Sequence, residues 1–449
     1  MFRRTILGEL KRWAAQPDRK PLILRGARQV GKTTAVEIFS ADFDTYVHFD
    51  LEKPEDAELF ERGLPVQELI QAIYLAKSIT PSEGRTLLFI DEIQNSASAM
   101  AMMRQFYESA KDIHVIGAGS LLEIMIREEQ KSFPVGRVQF LFMYPLTFEE
   151  YLGAIGADEA LEYYNKVPLP DLAFPTLRKH FHRYALLGGM PEIIEVYQER
   201  EDIAALTPVY QGLLTSYVDD VSKYARNDTM IEVIRHVIEA APLEAGKRIK
   251  FDGFGKSNYR SREVGEALRT LERAMLVYLH YPTSSTEPPV LPNKRRSPKL
   301  QFLDTGLINF YVGLQEQFFK YEDVGSFYRG ILAEHLTGQE LLASDPTRQR
   351  KLSFWTREKP QSSAEVDFVV QHGEYVIPVE VKSGAVGSLR SLQEFVDRAS
   401  HPFAVRIFGG ALSPNVNAST RKGKSYRLLN LPYFLTGKLQ DYLRWFIAA

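Results

Sequence analysis

Residues 26–33 read GARQVGKT, and they constrain this chain more than any other stretch. The pattern is G-x-x-x-x-G-K-[ST], set between the apolar run LILR and the helix-like TTAVEIFSA. Such a loop needs a buried strand that stops and a helix that starts, because its backbone N–H groups curl round an anion at the helix N-terminus. Gly26 and Gly31 give the loop its freedom. Ala27, Arg28, Gln29 and Val30 fill it, and Thr34 completes the nucleotide-binding set. Lys32 carries a point charge for the β- and γ-phosphates, and Thr33 a hydroxyl for Mg²⁺. The cofactors to expect are ATP and Mg²⁺.

A second stretch fits the first. In LLFIDE, residues 87–92, four apolar residues are followed by two acids. Asp91, at the end of a strand, is placed to share the metal with Thr33, and Glu92 to orient or deprotonate the attacking water. HVIGAGS puts Ser120 at the end of another strand, where a polar group senses a γ-phosphate. FPVGRVQF puts Arg137 ahead of a further strand, as a charge for the transition state from its own chain or from a neighbouring copy.

The first 150 residues alternate short apolar strands (LILR, YVHFDL, TLLFIDE, IHVIGAGS) with helical patterns, which predicts a parallel sheet covered by helices. Strands then vanish until about residue 240. A chain of 449 residues is too long for one core. Its 45% hydrophobic and 25% charged residues are ordinary for a globular protein, and a net charge of −2 provides no global field for nucleic acid. The absence of cysteine excludes disulfides and thiolate metal sites and fits a cytoplasmic location. Neither an apolar signal core nor an uninterrupted apolar run of membrane-spanning length is present, so no membrane span is expected.

The stretches RGARQVGKTT, LLFIDEIQ, GAGS, GR and YPLTFEEYL resemble those of bacterial and archaeal AAA-type ATPases whose C-terminal half is a domain of unknown function. The resemblance continues through LLGGMPE, SPKLQFLDTGL and WTREKPQSSAEVDFVV…PVEVKSG, and so covers nearly the whole chain. It implies an α/β multidomain protein: an AAA-like P-loop NTPase core with a parallel sheet (1–155), a helical lid (156–240), a winged helix-turn-helix (241–305) and a restriction-endonuclease-like α/β domain of the PD-(D/E)XK kind (306–449). The chain departs from the pattern at GAGS, where relatives carry a Thr and a second Ser, and at Val366, where a proline usually precedes the first acid.

Residues 259–282 support the third part independently. Ser261 is the expected N-cap of a helix with Val264, Leu268, Leu271 and Met275 on one face. Between Gly246 and Arg273 stand Lys247, Arg248, Lys250, Lys256, Arg260, Arg262, Arg269 and Arg273, against Asp252, Glu263, Glu266 and Glu272. With NKRRSPK beyond, this is a local basic patch of the kind that contacts nucleic-acid phosphates.

The stretch AEVDFVVQHGEYVIPVEVKSG, 364–384, reads as a hairpin. A two-residue turn at His372–Gly373 pairs Asp367 with Pro378 and Glu365 with Glu380. It sorts Val366, Phe368, Val370, Tyr375, Ile377, Val379 and Val381 onto one face and the acids onto the other. Asp367, Glu380 and Lys382 then converge. Two carboxylates suit a hard cation such as Mg²⁺, and the lysine suits a phosphorane. Glu334, on the preceding helix RGILAEHLTGQELLAS, is the third acid that the resemblance implies, with Gln339 and Glu340 further along.

The expected function is ATP binding and hydrolysis coupled to DNA, through the winged helix and a metal-dependent nuclease site. The alternative is an ATP-dependent switch or scaffold whose nuclease-like domain binds DNA or protein without cutting. A homo-oligomer is compatible with both.

Overall fold

The computed structural model describes residues 2–80, 83–120, 136–223, 225–315, 331–357, 364–382 and 389–448. The first part runs α1 (Ile6–Ala14), β1 (Leu22–Gly26), α2 (Lys32–Ser40), β2 (Thr45–Asp50), α3 (Pro54–Glu61), α4 (Val66–Ala76), β3 (Thr86–Asp91), α5 (Ala97–Ser109), β4 (Ile113–Gly119) and β5 (Gln139–Met143). The five strands form one sheet in the order β2-β3-β4-β1-β5, every pair parallel. β1 and β3 are buried along their whole length, whereas β2, at the edge, alternates buried and half-buried. Burial on both faces explains the unbroken apolar runs. Period-two alternation divides the strands between two cores: Leu22, Leu24, Leu87 and Phe89 in one, Ile23, Leu88, Ile90 and Val115 in the other. Because all strands are parallel, β1, β3 and β4 end at the same edge, which is where such sheets bind ligands.

Helices follow: α6 (Phe148–Ala154), α7 (Asp158–Tyr164), α8 (Phe174–Leu187), α9 (Pro191–Arg200), α10 (Thr207–Asp219) and α11 (Asp228–Glu244). Thr147 starts α6 with a capping box, its hydroxyl accepting from Glu150 N while the Glu150 carboxylate accepts from Thr147 N. Phe148, Tyr151, Phe181 and Tyr184 pack there as an aromatic cluster.

The remainder comprises α12 (Ser261–Arg273), β6 (Val277–Thr283), β7 (Lys299–Phe302), α13 (Thr305–Tyr311), α14 (Ile331–Ala343), β8 (Ser353–Thr356), β9 (Glu365–His372), β10 (Tyr375–Lys382), α15 (Arg390–Val396), β11 (Phe403–Phe408), β12 (Ser413–Ser419), β13 (Ser425–Pro432) and α16 (Leu439–Ala448). Val264, Leu268, Leu271 and Met275 are all buried, as the periodicity predicts. Ser261 is not the N-cap: Arg260 is, and its N–H donates to the Glu263 carboxylate at 2.9 Å.

The strands of this part form one mixed, eight-stranded sheet in the order β12-β13-β11-β10-β9-β8-β6-β7. Tyr281 of β6 pairs with Ser353 of β8, so the β6–β7 hairpin is an edge of the C-terminal sheet. The sheet thus crosses the boundary expected at residue 305.

The β9–β10 hairpin has a different register from the expected one. His372 pairs with Tyr375, and Phe368 with Val379. The turn is Gly373–Glu374, with Gly373 at φ +56°, the left-handed region glycine enters without a Cβ clash. The shift is two residues, so faces are conserved, but Glu365 is no longer opposite Glu380. The expected apolar face holds for Phe368, Val370, Tyr375, Ile377, Val379 and Val381 but not for Val366. Between the pairs Ser353–Val369 and Trp355–Val366, β9 holds one residue more than β8, a β-bulge at Asp367 and Phe368. Val366 and Val369 therefore pack together against Trp355 and Phe395, while Phe368 and Val370 join the other core. Ser383 and Gly384, which end the quoted stretch, lie outside the described residues.

Candidate nucleotide site and carboxylate cluster

The nucleotide-type loop sits between β1 and α2. A Cβ on Gly26 would lie 2.5 Å from Met143 O, so the loop passes too close to β5 for any side chain. Gln29 and Gly31 have φ +65° and +90°, which turns successive N–H groups inward. Ala27 and Val30 are buried beneath. The Lys32 ammonium is 5% exposed and donates to Gly26 O at 3.2 Å and Ala27 O at 2.9 Å. Burial lowers its pKa, opposed by Glu92 and Asp91. A buried ammonium held only by loop carbonyls and facing two acids fits an anionic ligand. Thr33 donates to Asp91 Oδ2 at 2.5 Å, the pair of hard oxygens a Mg²⁺ site of this kind uses. Thr34 follows on α2.

Glu92 stands just past β3 at φ +48° and accepts a hydrogen bond from Gln94. Burial raises its pKa, with Lys32 and Gln94 opposing. Ser120 is buried at the end of β4, the strand between β3 and β1. Arg137 is elsewhere. It precedes β5, lies over the Tyr107 ring at 5.5 Å and is 3.7 Å from Glu108. Gly26 pairs with Met143 at the far end of β5, so roughly 20 Å of strand separates Arg137 from the loop. The structure therefore does not bring Arg137 to the loop of its own chain: the strand ends that carry Arg137 and Gly26 are at opposite edges.

Two braces on the loop were not visible in the motif. Arg4 donates to Val30 O at 2.9 Å and Tyr144 O at 2.6 Å, and is ion-paired with buried Glu150 at 3.1 Å. Arg28 binds Glu52 at 2.9 Å and also Asp220, just after α10; Lys223 reaches Glu52 at 3.0 Å. Tyr217 OH and Ser216 Oγ bond to Arg28 O and Gln29 Oε1, each at 3.2 Å. The end of α10 is thus fastened to the loop.

The C-terminal acids meet as well, around a residue the hairpin alone does not reveal. Lys299 of β7 is 7% exposed at its side chain, with Nζ 2.5 Å from Glu334, 2.8 Å from Glu365 and 3.6 Å from Asp367. Arg248 reaches Glu365 at 3.3 Å, and Lys382 donates to Glu380 at 2.5 Å. Asp367 Oδ2 accepts Val381 N at 2.8 Å. Glu380 is 4% exposed, and its Oε2 has no partner. Burial pulls the Lys299 pKa down, but Glu334, Asp367 and Glu365 outweigh it and hold it up. Three cations, Lys299, Arg248 and Lys382, face four acids, two of which, Glu334 and Glu380, are deeply buried. Burial and then Asp367 accordingly push Glu334 up to about 8 and Glu380 to about 7. Among the described residues, no three His, Cys, Asp or Glu side chains are arranged to hold a metal ion. The two carboxylates expected to share a metal are each engaged by an ammonium instead, Asp367 by Lys299 at 3.6 Å and Glu380 by Lys382 at 2.5 Å. A buried lysine in the strand-like KLQF was the available signal, since Leu300 and Phe302 take the opposite face.

A buried seam joins the two regions. Asp304 accepts from Gly189 N at 2.7 Å, Gly306 N at 2.9 Å and Gln339 Nε2 at 3.2 Å. Glu340 accepts from Phe148 N at 3.0 Å and Tyr184 OH at 2.7 Å. Burial first, with these hydrogen bonds opposing, pushes Glu340 up to about 7. A Cβ on Gly188 would lie 2.0 Å from Asp304 Oδ1.

Residues 18–152 match the family model of an AAA domain. With the loop, sheet and Thr33–Asp91 pair above, this makes the first part of the chain a P-loop ATPase domain of the AAA type. Residues 178–317 and 329–434 match two domains of unknown function, DUF8612 and DUF4143. No curated protein matches the chain. Similar solved structures include the Walker-type ATPase of Pyrococcus abyssi, with 13% identity, 70% of this chain and 96% of that one covered, and a TM-score of 0.45. The Aeropyrum pernix Orc1 protein in complex with DNA has 13% identity, 70% and 93% coverage and a TM-score of 0.30. Among the described residues, no helix is long and apolar enough to cross a membrane.

Proposed function

We propose that this chain is an ATP-hydrolysing switch that acts with DNA, and that its C-terminal module has a nuclease-like fold but engages its partner without cutting. In this reading Lys32 holds the β- and γ-phosphates, and Glu92, made more basic by burial, takes the proton of the attacking water. Mg²⁺, held by Thr33 and Asp91, would supply charge to the phosphoryl oxygens. Ser120 faces the γ-phosphate from β4. Arg137, far from its own loop, serves the nucleotide of a second copy.

The observation that carries the switch is the seam. Gly189 N and Gln339 share the Asp304 carboxylate, so the segment after α8 and helix α14 are bonded to one buried acid. Pro191 lies 3.7 Å from where a Gly31 Cβ would stand, which brings the nucleotide loop to the same segment. DNA is supported by the exposed Lys294, Arg295 and Arg296 in the β6–β7 loop and by exposed Lys247, Lys250, Lys256, Arg262 and Arg269 earlier in the same part of the chain. A winged helix, with α12 followed by that hairpin, suits the patch. The cutting alternative is favoured by one observation: Glu334, Asp367, Glu380 and Lys382 do come together.

The test is duplex-DNA affinity of the full chain with ATP, with ADP and without nucleotide, in wild type and Lys32→Ala, with strand scission followed in Mg²⁺ and Mn²⁺. Nucleotide should change wild-type affinity and leave Lys32→Ala unaffected, with DNA intact. Affinity indifferent to nucleotide overturns the switch, and scission that disappears in Asp367→Ala restores the nuclease.

A further inference from the structure

We infer that Lys299 is a built-in cation in the carboxylate cluster, occupying the position a divalent metal would take, so that removing its charge creates a metal site. The inference rests on the non-cutting reading but is tested apart from it. Three carboxylates from two elements converge on one ammonium: Glu334 from α14, Glu365 and Asp367 from β9. They do so at 2.5, 2.8 and 3.6 Å. The ammonium donates to Glu334, pairs closely with Glu365 and lies within ion-pair reach of Asp367, whereas Mg²⁺ draws its oxygens to about 2.1 Å. The fourth acid points to the same conclusion from the other side. Glu380 is buried, uses one oxygen for Lys382, and leaves Oε2 without a partner. The cluster therefore keeps acceptor capacity beyond what its cations use.

The lysine is also held in place independently of the acids. Leu300 and Phe302, its neighbours on β7, are buried, Leu279 and His280 of β6 pair with Leu300 and Lys299, and the ammonium lies 5.0 Å over the Phe354 ring. The stem is thus buried on a paired strand and against Phe354, and the charge belongs to the fold as a resident ion would. In a nuclease the same acids must be free for metal. Here the hairpin from the preceding part of the chain closes them.

Mn²⁺ alone, titrated into the nucleotide-free full chain and read by the loss of its free-ion electron paramagnetic resonance signal, tests this. Asp91→Asn is carried throughout to silence the nucleotide site. Wild-type Lys299 should leave the ion free. Lys299→Met, which keeps the stem against Phe354, should bind one Mn²⁺ at least about tenfold more tightly. Adding Asp367→Ala should abolish that gain. If Lys299→Met does not fold, Lys299→Met with Glu365→Gln removes one charge of each sign and is titrated instead. The inference is overturned if the Lys299 protein already binds Mn²⁺ in a way that Asp367→Ala removes, or if neither Lys299→Met protein binds it. Neither result bears on whether nucleotide changes DNA affinity, so the two readings fail separately.

Discussion

The Asp304 carboxylate accepts the Gly189 N–H at 2.7 Å across 115 residues of chain, and Asp304 is itself fully buried. This single acid caps α13, with Gly306 N and Leu307 N as further donors, and holds α14 through Gln339. Asp304→Ala leaves several buried donors without an acceptor. It should cost about 3 kcal/mol or more in urea unfolding, and Asp304→Asn less, since one amide oxygen still accepts.

Gly188→Ala strikes the same seam sterically. The residue has φ +76°, and the new methyl would meet Asp304 Oδ1 and Gly306 N. Gly63→Ala is the control, with φ +67° but open space around it. The control should lose about 1 kcal/mol from backbone strain alone, and Gly188→Ala at least about 2 kcal/mol more. Equal losses would show that the contact contributes nothing.

The nucleotide loop and the end of α10 are fastened by Arg28 and Asp220, with side chains 28% and 10% exposed. A double-mutant cycle, Arg28→Ala with Asp220→Ala, read by nucleotide affinity, should give a coupling of roughly 1 kcal/mol that shrinks in high salt. Lys32→Ala should lower ATP turnover by about 100-fold or more, because the charge it removes is aimed at the transferred phosphoryl group.

Glu340 gives a pH dependence. Its folded pKa, about 7, is above the ordinary carboxylate value of 4.5 because it is buried. A raised acid favours the folded state fully below pH 4.5, and that contribution fades as pH rises through 7. Glu340→Gln keeps an acceptor for Phe148 N and Tyr184 OH but does not titrate. Relative to wild type it should therefore gain stability between pH 5 and 8, by up to roughly 3 kcal/mol. Melting temperatures of the two proteins across that range provide the check, and parallel curves would refute the assignment.

The nucleotide loop was legible because its requirements are local. Gly26, Gly31, Lys32 and Thr33 lie within one turn of chain, and strand ends place Asp91 and Glu92 beside them. The edge on which Arg137 falls was not legible, because that depends on how far β5 runs after it. In the hairpin, the choice of Gly373 as first rather than second turn residue moved the register by two. The bulge at Asp367 is set by β8, which pairs from outside the hairpin. Lys299 was hidden for the same reason. Its place among the acids arises from β6 pairing with β8, a contact no local pattern encodes.

Strand β7 is only four residues long, Lys299–Phe302, with Asp304 two positions beyond it. The charge among the acids and the acid that holds the segment after α8 are thus mounted on one short strand and its end, with the exposed arginines of the hairpin loop just ahead of it. A pull on that loop by a bound phosphate would be felt at both ends together.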